Sequence, residues 1–366
     1  MAESQKPQSN GPRANDPRAN GESANDVRAN GGLRLAIPSD GAMFEPTQQF
    51  LAQAGMTVVR PSARRYTASV PAVDGLEVIY QRTADITSKV EDGNADLGIV
   101  GVDRYQESRI EGGDTLLIMP DLGFGRCELV VAVPDAWMDV DTMADLADLA
   151  VEFRESGREL RVATKYPRMV RRFFFGNGVN YFSLASVSGT LEASPAMGYA
   201  DLIVDVSASG VTLRENHLKR LEDGTVLESE GALIGNRRLM QDYPERLHAA
   251  REVIERIEAH RAAGGYLRVT ANIEGQSEEA VAAKVMERPE AMGLQGPTIS
   301  SVYVPNGKRL YAVTVYIDRS ALTSVVDYFR AIGGASVTVS EASYVFGQES
   351  PAYARLLASL GRASGH

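Results

Sequence analysis

The stretch "DLIVDVSASGVTLRENHL" (201–218) runs from an apolar strand into one acid, Asp205, then through small and hydroxylic residues into the start of a helix. A turn of that make-up aims backbone N–H groups and the positive end of the helix at one spot, which suits a phosphate. Ser209 and Thr212 add hydroxyl donors, and Gly210 allows close approach because it has no Cβ. Asp205 ends the strand where it can meet something polar and partly positive, such as ribose hydroxyls or a metal-bound group. A plain helix N-cap by Thr212 accounts for the same residues without any ligand. Elsewhere, His217, His248, His260 and His366 pair with no Ser or Cys in a nucleophile motif. His217 and His248 read as solvated helix positions, and Cys127 as a small core residue at the head of an apolar strand.

Elements must hold that turn in place, and composition bounds them. With 366 residues and 44% apolar content the chain can bury a large core in two or three domains. A net charge of −10 argues against a nucleic-acid surface, and one cysteine excludes an intramolecular disulfide framework. No apolar run approaches a membrane span and the amino terminus lacks a signal-peptide core, so the expected setting is the cytoplasm, with no membrane partner.

Residues 1–32 repeat Arg-Ala-Asn and read as a disordered extension. Strands are expected at 33–38, 76–82, 95–101 and 127–134, with helices at 45–55, 84–93 and 142–156. That alternation predicts an α/β lobe with a mostly parallel sheet. A second lobe, about 135–210, follows with a strand at 160–167, a helix at 168–178 and the strand 199–206; 231–240 reads as a strand returning to the first lobe. The helix 242–265 carries Leu247, Ala250, Ile254 and Ile257 on one stripe, closing a two-lobed region over 33–264. From 265 to 347 the pattern becomes β-α-β-β-α-β, a ferredoxin-like domain with no nucleophile or metal cluster, suited to regulation or assembly; 348–366 reads as a tail.

Taken in order, several stretches resemble ATP phosphoribosyltransferase, the first enzyme of histidine biosynthesis. They are 82–103, "LGFGRCELVVAVP" (122–134), "RVATKYP" (161–167), "SGTLEASPAMG" (188–198), the phosphoribosyl pyrophosphate (PRPP) loop at 199–218, "GLQGPTIS" (293–300) and "RAIGGASVTV" (330–339). The resemblance implies a two-lobed, periplasmic-binding-protein-like catalytic region with a ferredoxin-like regulatory domain. It implies an enzyme that joins N1 of the adenine of ATP to C1 of the ribose of PRPP, releasing pyrophosphate with Mg2+ present. PRPP would lie on Lys165, Ser207, Ala208, Ser209, Gly210, Val211 and Thr212, with Glu192 and Asp205 as the catalytic carboxylates facing the ribose. Gly41, Arg65, Arg82, Asp85 and Asp103 would border ATP, and histidine would inhibit from Leu294, Thr298, Ser300 and Ala335. A homo-oligomer, dimer to hexamer, goes with it. The chemistry suits a site without a covalent nucleophile, because the adenine nitrogen already carries a lone pair and the protein has mainly to position and to stabilise charge.

One stretch departs from that pattern. In "AIPSDGAMFEPT" (36–47), Asp40 and Ala42 stand where typical members carry Lys and Arg, and Glu128 takes a position that is often basic. Either Arg60, Arg64 or Arg65 compensates, or catalysis is weakened or redirected. A PRPP-dependent paralogue with another acceptor, and a non-catalytic two-lobed binding protein, fit the same layout.

Overall fold

The computed structural model describes residues 32–185, 190–305 and 307–362. The extension 1–31, Ser188 and Gly189 of the 188–198 stretch, and His366 lie outside the described residues. Three sheets organise the chain. The first has the order β2-β3-β1-β4-β11-β5, built from β1 (Leu33–Pro38), β2 (Thr67–Ser69), β3 (Leu76–Gln81), β4 (Leu97–Gly101), β5 (Thr115–Met119) and β11 (Gly231–Asn236). Strands β1, β3 and β4 run parallel, and β11 returns antiparallel to β4 and β5. β4, "LGIVG", is buried throughout, as an apolar run covered by helices on both faces should be.

The second sheet has the order β10-β6-β9-β7-β8, from β6 (Cys127–Pro134), β7 (Leu160–Thr164), β8 (Phe182–Ala185), β9 (Leu202–Ser207) and β10 (Leu218–Ser229). The lobe is therefore wider than the expected 135–210. β10 brings apolar positions only at irregular intervals, with bulges where it pairs with β6, so no clean alternation marks it in the sequence. The helix Met143–Glu155 opens on a capping box in which Thr142 and Asp145 satisfy each other's backbone N–H. The chain crosses between lobes twice, and the crossings bond to each other: Leu122 N–H reaches Gly231 O at 2.8 Å and Gly231 N–H reaches Phe124 O at 2.8 Å.

The helix Pro244–Gly264 lays Leu247, Ala250, Ile254 and Ile257 into the first lobe's core, as the stripe predicts. Only the front of 231–240 is strand; Asn236 then caps a short helix, Arg237–Asp242, through its bond to Leu239 N–H. The last sheet, β13-β14-β12-β15, joins β12 (Tyr266–Glu274), β13 (Thr298–Val302), β14 (Leu310–Asp318) and β15 (Gly334–Glu341), all antiparallel, in ferredoxin-like order. The expected tail is in fact structural. Helix Pro351–Ser359 returns to the first lobe and buries Ala352, Leu356, Leu357 and Leu360 in its core.

Candidate active site

The parallel strands of both lobes end at facing edges, the position where open α/β sheets take ligands. On the second lobe, β7, β8 and β9 share a direction, so Lys165 after β7 and Asp205 near the end of β9 lie on one edge. Glu192 sits in the single turn Leu191–Ala193 that follows β8. Burial raises the Asp205 pKa above the usual carboxylate range; the N–H of Val206 (2.9 Å) and the Lys165 charge oppose the rise, while the Glu192 carboxylate adds to it. Lys165 and Asp205 thus share one edge of the second sheet, with Glu192 in the turn after β8, and both neighbouring charges act on Asp205.

Beside them, Gly210 has φ +70° and starts the five-residue helix Val211–Glu215; its N–H bonds the Ser207 hydroxyl at 3.1 Å. That left-handed conformation is what excludes a side chain, because a Cβ at Gly210 would meet only Arg214 Nη1, at 3.7 Å. Ala208, Ser209, Val211 and Thr212 are exposed, and Thr212 makes no side-chain cap bond. The N-cap explanation for Thr212 therefore does not hold, and the turn's surface is open to a ligand. Ala208 and Val102 of the first lobe both line a cavity of about 500 Å³, together with residues 126–128 and 228–230 of the strands that follow and precede the crossings. Glu128 is neutralised there by Arg220 at 2.7 Å and Glu230 by Arg126 at 3.2 Å.

On the first lobe, β1, β3 and β4 end together, which puts Gly41, Arg82 and Asp85 at one rim, with Ser39 N–H bonded to Gln81 O at 2.7 Å. All three are exposed, as are Asp40, Ala42, Arg64 and Arg65. Arg60 is engaged: it stacks 4.2 Å from the Tyr80 ring centroid and donates to Arg65 O at 2.6 Å.

Asp103 departs from the rest of this group. It is 6% exposed, and both carboxylate oxygens are taken, one by the Tyr166 hydroxyl at 2.6 Å and the other by the Ser229 hydroxyl at 2.7 Å. Arg104 stacks on the Tyr166 ring at 4.2 Å and donates to Lys165 O at 3.3 Å. Burial and the Asp103 charge push the Tyr166 pKa far up, so this phenol stays a donor. Cys127 is half-buried and its thiol is pushed up to about 11 by burial and the Asp103 charge, which suits an inert thiol. The contacts Arg104–Lys165, Tyr166–Asp103, Ser229–Asp103 and Arg220–Glu128 carry no short-range sequence signal, since each joins residues about 60 to 130 positions apart in the chain. Among the described residues no group of three His, Cys, Asp or Glu side chains is arranged to hold a metal ion.

The four expected regulatory positions are all exposed, but they divide between edges. Thr298 and Ser300 lie on edge strand β13, with Leu294 bonded to Tyr316 O just before it, while Ala335 lies on the opposite edge strand, β15. At the usual strand spacing those edges are roughly 14 Å apart.

Two family models match the chain: ATP phosphoribosyltransferase over residues 82–259, and HisG, C-terminal domain, over 263–343. "ATP phosphoribosyltransferase 1, chloroplastic" of Arabidopsis thaliana is 38% identical over 90% of this chain and 81% of its own length. "ATP phosphoribosyltransferase" of Bradyrhizobium sp. (strain ORS 278) is 35% identical over 90% of this chain and 99% of its own. The solved "ATP phosphoribosyl transferase (HisG:HisZ) complex from Thermotoga maritima" overlaps 62% of this chain and 98% of that one at 24% identity, with a TM-score of 0.46. With relatives matched over nine-tenths of its length and both parts recognised in order, the chain belongs to the ATP phosphoribosyltransferase family, in the long form that carries the carboxyl-terminal domain.

Proposed function

We propose that PRPP lies with its 5-phosphate on the turn Ser207–Thr212 and its ribose against Asp205 and Glu192, while ATP enters from the rim formed by Gly41, Arg65, Arg82 and Asp85. The enzyme carries out the first step of histidine biosynthesis, transferring the phosphoribosyl group of PRPP to ATP. Adenine N1 donates its lone pair to ribose C1 as the C1–O bond to pyrophosphate breaks, so positive charge builds on the ring. Two carboxylates at that point stabilise the charge, and the Lys165 ammonium beside them faces the anionic side of the substrate. One observation supports this above others: Asp205 and Lys165 share the sheet edge that runs into an exposed turn, Ala208–Thr212, at a left-handed Gly210.

Enzymes of this family act with a divalent metal. We take it to be Mg2+, which commonly binds through one or two carboxylates plus substrate phosphates rather than in an all-protein cage. The Asp205–Glu192 pair offers oxygen donors of that kind, and the metal would neutralise charge on the departing pyrophosphate. Histidine would act on the last domain. A ligand touching Leu294, Thr298, Ser300 and Ala335 has to bridge edges of two domains, so inhibition from those residues carries a homo-oligomer with it. Among the described residues no helix is long and apolar enough to cross a membrane, and we place the enzyme in the cytoplasm.

Pyrophosphate release measured across pH tests the assignment. Asp205→Asn is expected to lower kcat by about 10²–10³-fold, the range for one preorganised charge-stabilising group, with little change in PRPP affinity. Because burial raises the Asp205 pKa, the wild-type acid limb should fall at a pH above the ordinary carboxylate value of about 3.9 and should vanish in Asp205→Asn. A variant with kcat within threefold of wild type would remove Asp205 from the chemistry.

A further inference from the structure

The helix Pro167–Gly176 begins without a cap of its own. Its N-cap residue is Tyr166, which makes no side-chain cap bond, and Pro167 occupies the first turn. A helix start leaves backbone N–H groups without intrahelical partners, and buried ones must be satisfied from elsewhere. Here they are satisfied from the other lobe. Glu107, in the first-lobe helix Val102–Ser108, accepts the Arg168 N–H on one carboxylate oxygen at 2.9 Å and the Met169 N–H on the other at 3.0 Å. Arg168 reinforces the contact by donating to Glu111 at 2.9 Å and to the carbonyl of Arg109.

This cap sits immediately after the segment that matters for substrate. Lys165 precedes Tyr166, and its carbonyl is held by Arg104 from the same first-lobe helix. Thr164 is held within its own lobe by Val204 on β9, and the residues after it are held from the other lobe: Arg104 holds Lys165, Asp103 holds Tyr166, and Glu107 holds Arg168 and Met169. The one local bond within the turn 164–169, Tyr166 N–H to the Thr164 hydroxyl at 3.0 Å, leaves the Lys165 side chain exposed and free to turn toward Asp205. A carboxylate carries two oxygens in a fixed plane, so only an acid at 107 can accept both N–H groups with charge assistance, and it also favours the positive end of the helix.

We propose that Glu107 is a positioning residue for phosphoribosyl transfer: by capping the second-lobe helix across the seam between lobes, it fixes the turn that carries Lys165 and the angle at which the two lobes face each other. The part concerning Lys165 rests on the PRPP assignment above; the part concerning lobe angle does not. Calorimetric titration of the full-length protein with PRPP tests the first part. Glu107→Ala is expected to weaken PRPP binding about tenfold, equivalent to about 1.4 kcal/mol. Glu107→Gln, which keeps one accepting oxygen, should recover part of that affinity and melt between Glu107→Ala and wild type. If Glu107→Ala lowers the melting temperature but leaves PRPP affinity within twofold, Glu107 is a structural cap only and the proposal is overturned. Lys165→Ala serves as the control: should it leave affinity unchanged, the PRPP assignment fails instead. Small-angle scattering then decides the matter on lobe angle alone. Glu107→Ala should give a larger radius of gyration than wild type, and an unchanged profile overturns the proposal.

Discussion

At the scale of single residues, the departures at positions 40, 42 and 128 have different outcomes. Glu128 is paired with Arg220 on β10, so an acid at that place puts no net charge into the cavity. Asp40 is exposed and accepts from the Ser39 hydroxyl at 3.4 Å, and Ala42 beside it adds no charge. Arg60 is held by Tyr80 and the Arg65 carbonyl, which leaves the exposed Arg64 and Arg65 as the more available cations of the three. Asp40→Lys with Ala42→Arg is expected to lower the KM for ATP up to about tenfold, near 1.4 kcal/mol, because partly solvated charge-assisted contacts contribute no more than that. Steady-state kinetics at saturating PRPP measures it. A neutral double variant combined with a severe Arg65→Ala would assign the ATP phosphates to Arg65. Asp205 and Gly210 were legible in the sequence because strand, acid, small residues and helix start lie within a dozen positions. Asp103 is expected at the border of ATP, but its burial between Tyr166 and Ser229 is not legible, since those partners reach it from 63 and 126 residues away.

At the scale of elements, strong periodicity carried through and irregularity did not. The stripe on Pro244–Gly264 reads directly as a core face, and β1, β3, β4 and β6 fall within a residue or two of their expected spans. That helix also hides a device no pattern reveals: Arg246 pairs with Asp96 at 3.0 Å, both nearly fully buried, tying it to the start of β4. β10 carries no strand signal, because "LKRLEDGTVLES" has charges and a glycine where a strand would alternate. Helix Pro351–Ser359 carries none either, because a nine-residue amphipathic stretch is not stable alone and takes its order from the core it enters. Ser350 caps it, and Glu258 on the long helix accepts from both Ser350 and the Ala352 N–H. Truncation after Gly347 should therefore lower the melting temperature of the catalytic region, since it removes Ala352, Leu356, Leu357 and Leu360 from that core, and a buried leucine is worth about 1.5–3 kcal/mol. Thermal denaturation checks this; an unchanged midpoint would make the helix a surface appendage.

At the scale of the whole molecule, the chain visits its first lobe three times. It forms β1–β5, leaves to build the second lobe, returns as β11 and the linking helix, leaves again for the ferredoxin-like domain, and returns as Pro351–Ser359. The regulatory domain is thus anchored to the first lobe at both of its ends, by the long helix before it and by the closing helix after it. The second lobe hangs on two bonded crossings and on the seam at Glu107 and Asp103. On the proposed placement, PRPP on the second lobe is in this way set against ATP on the first. The placement of PRPP is the central claim, and a crystal structure of the full-length enzyme with PRPP bound tests it most directly. The 5-phosphate is expected within about 3 Å of the backbone nitrogens of Ser209 to Thr212, with the ribose next to Asp205 and Glu192. Density for PRPP on the Arg65–Arg82 rim of the first lobe, with the Gly210 turn bare, would contradict it.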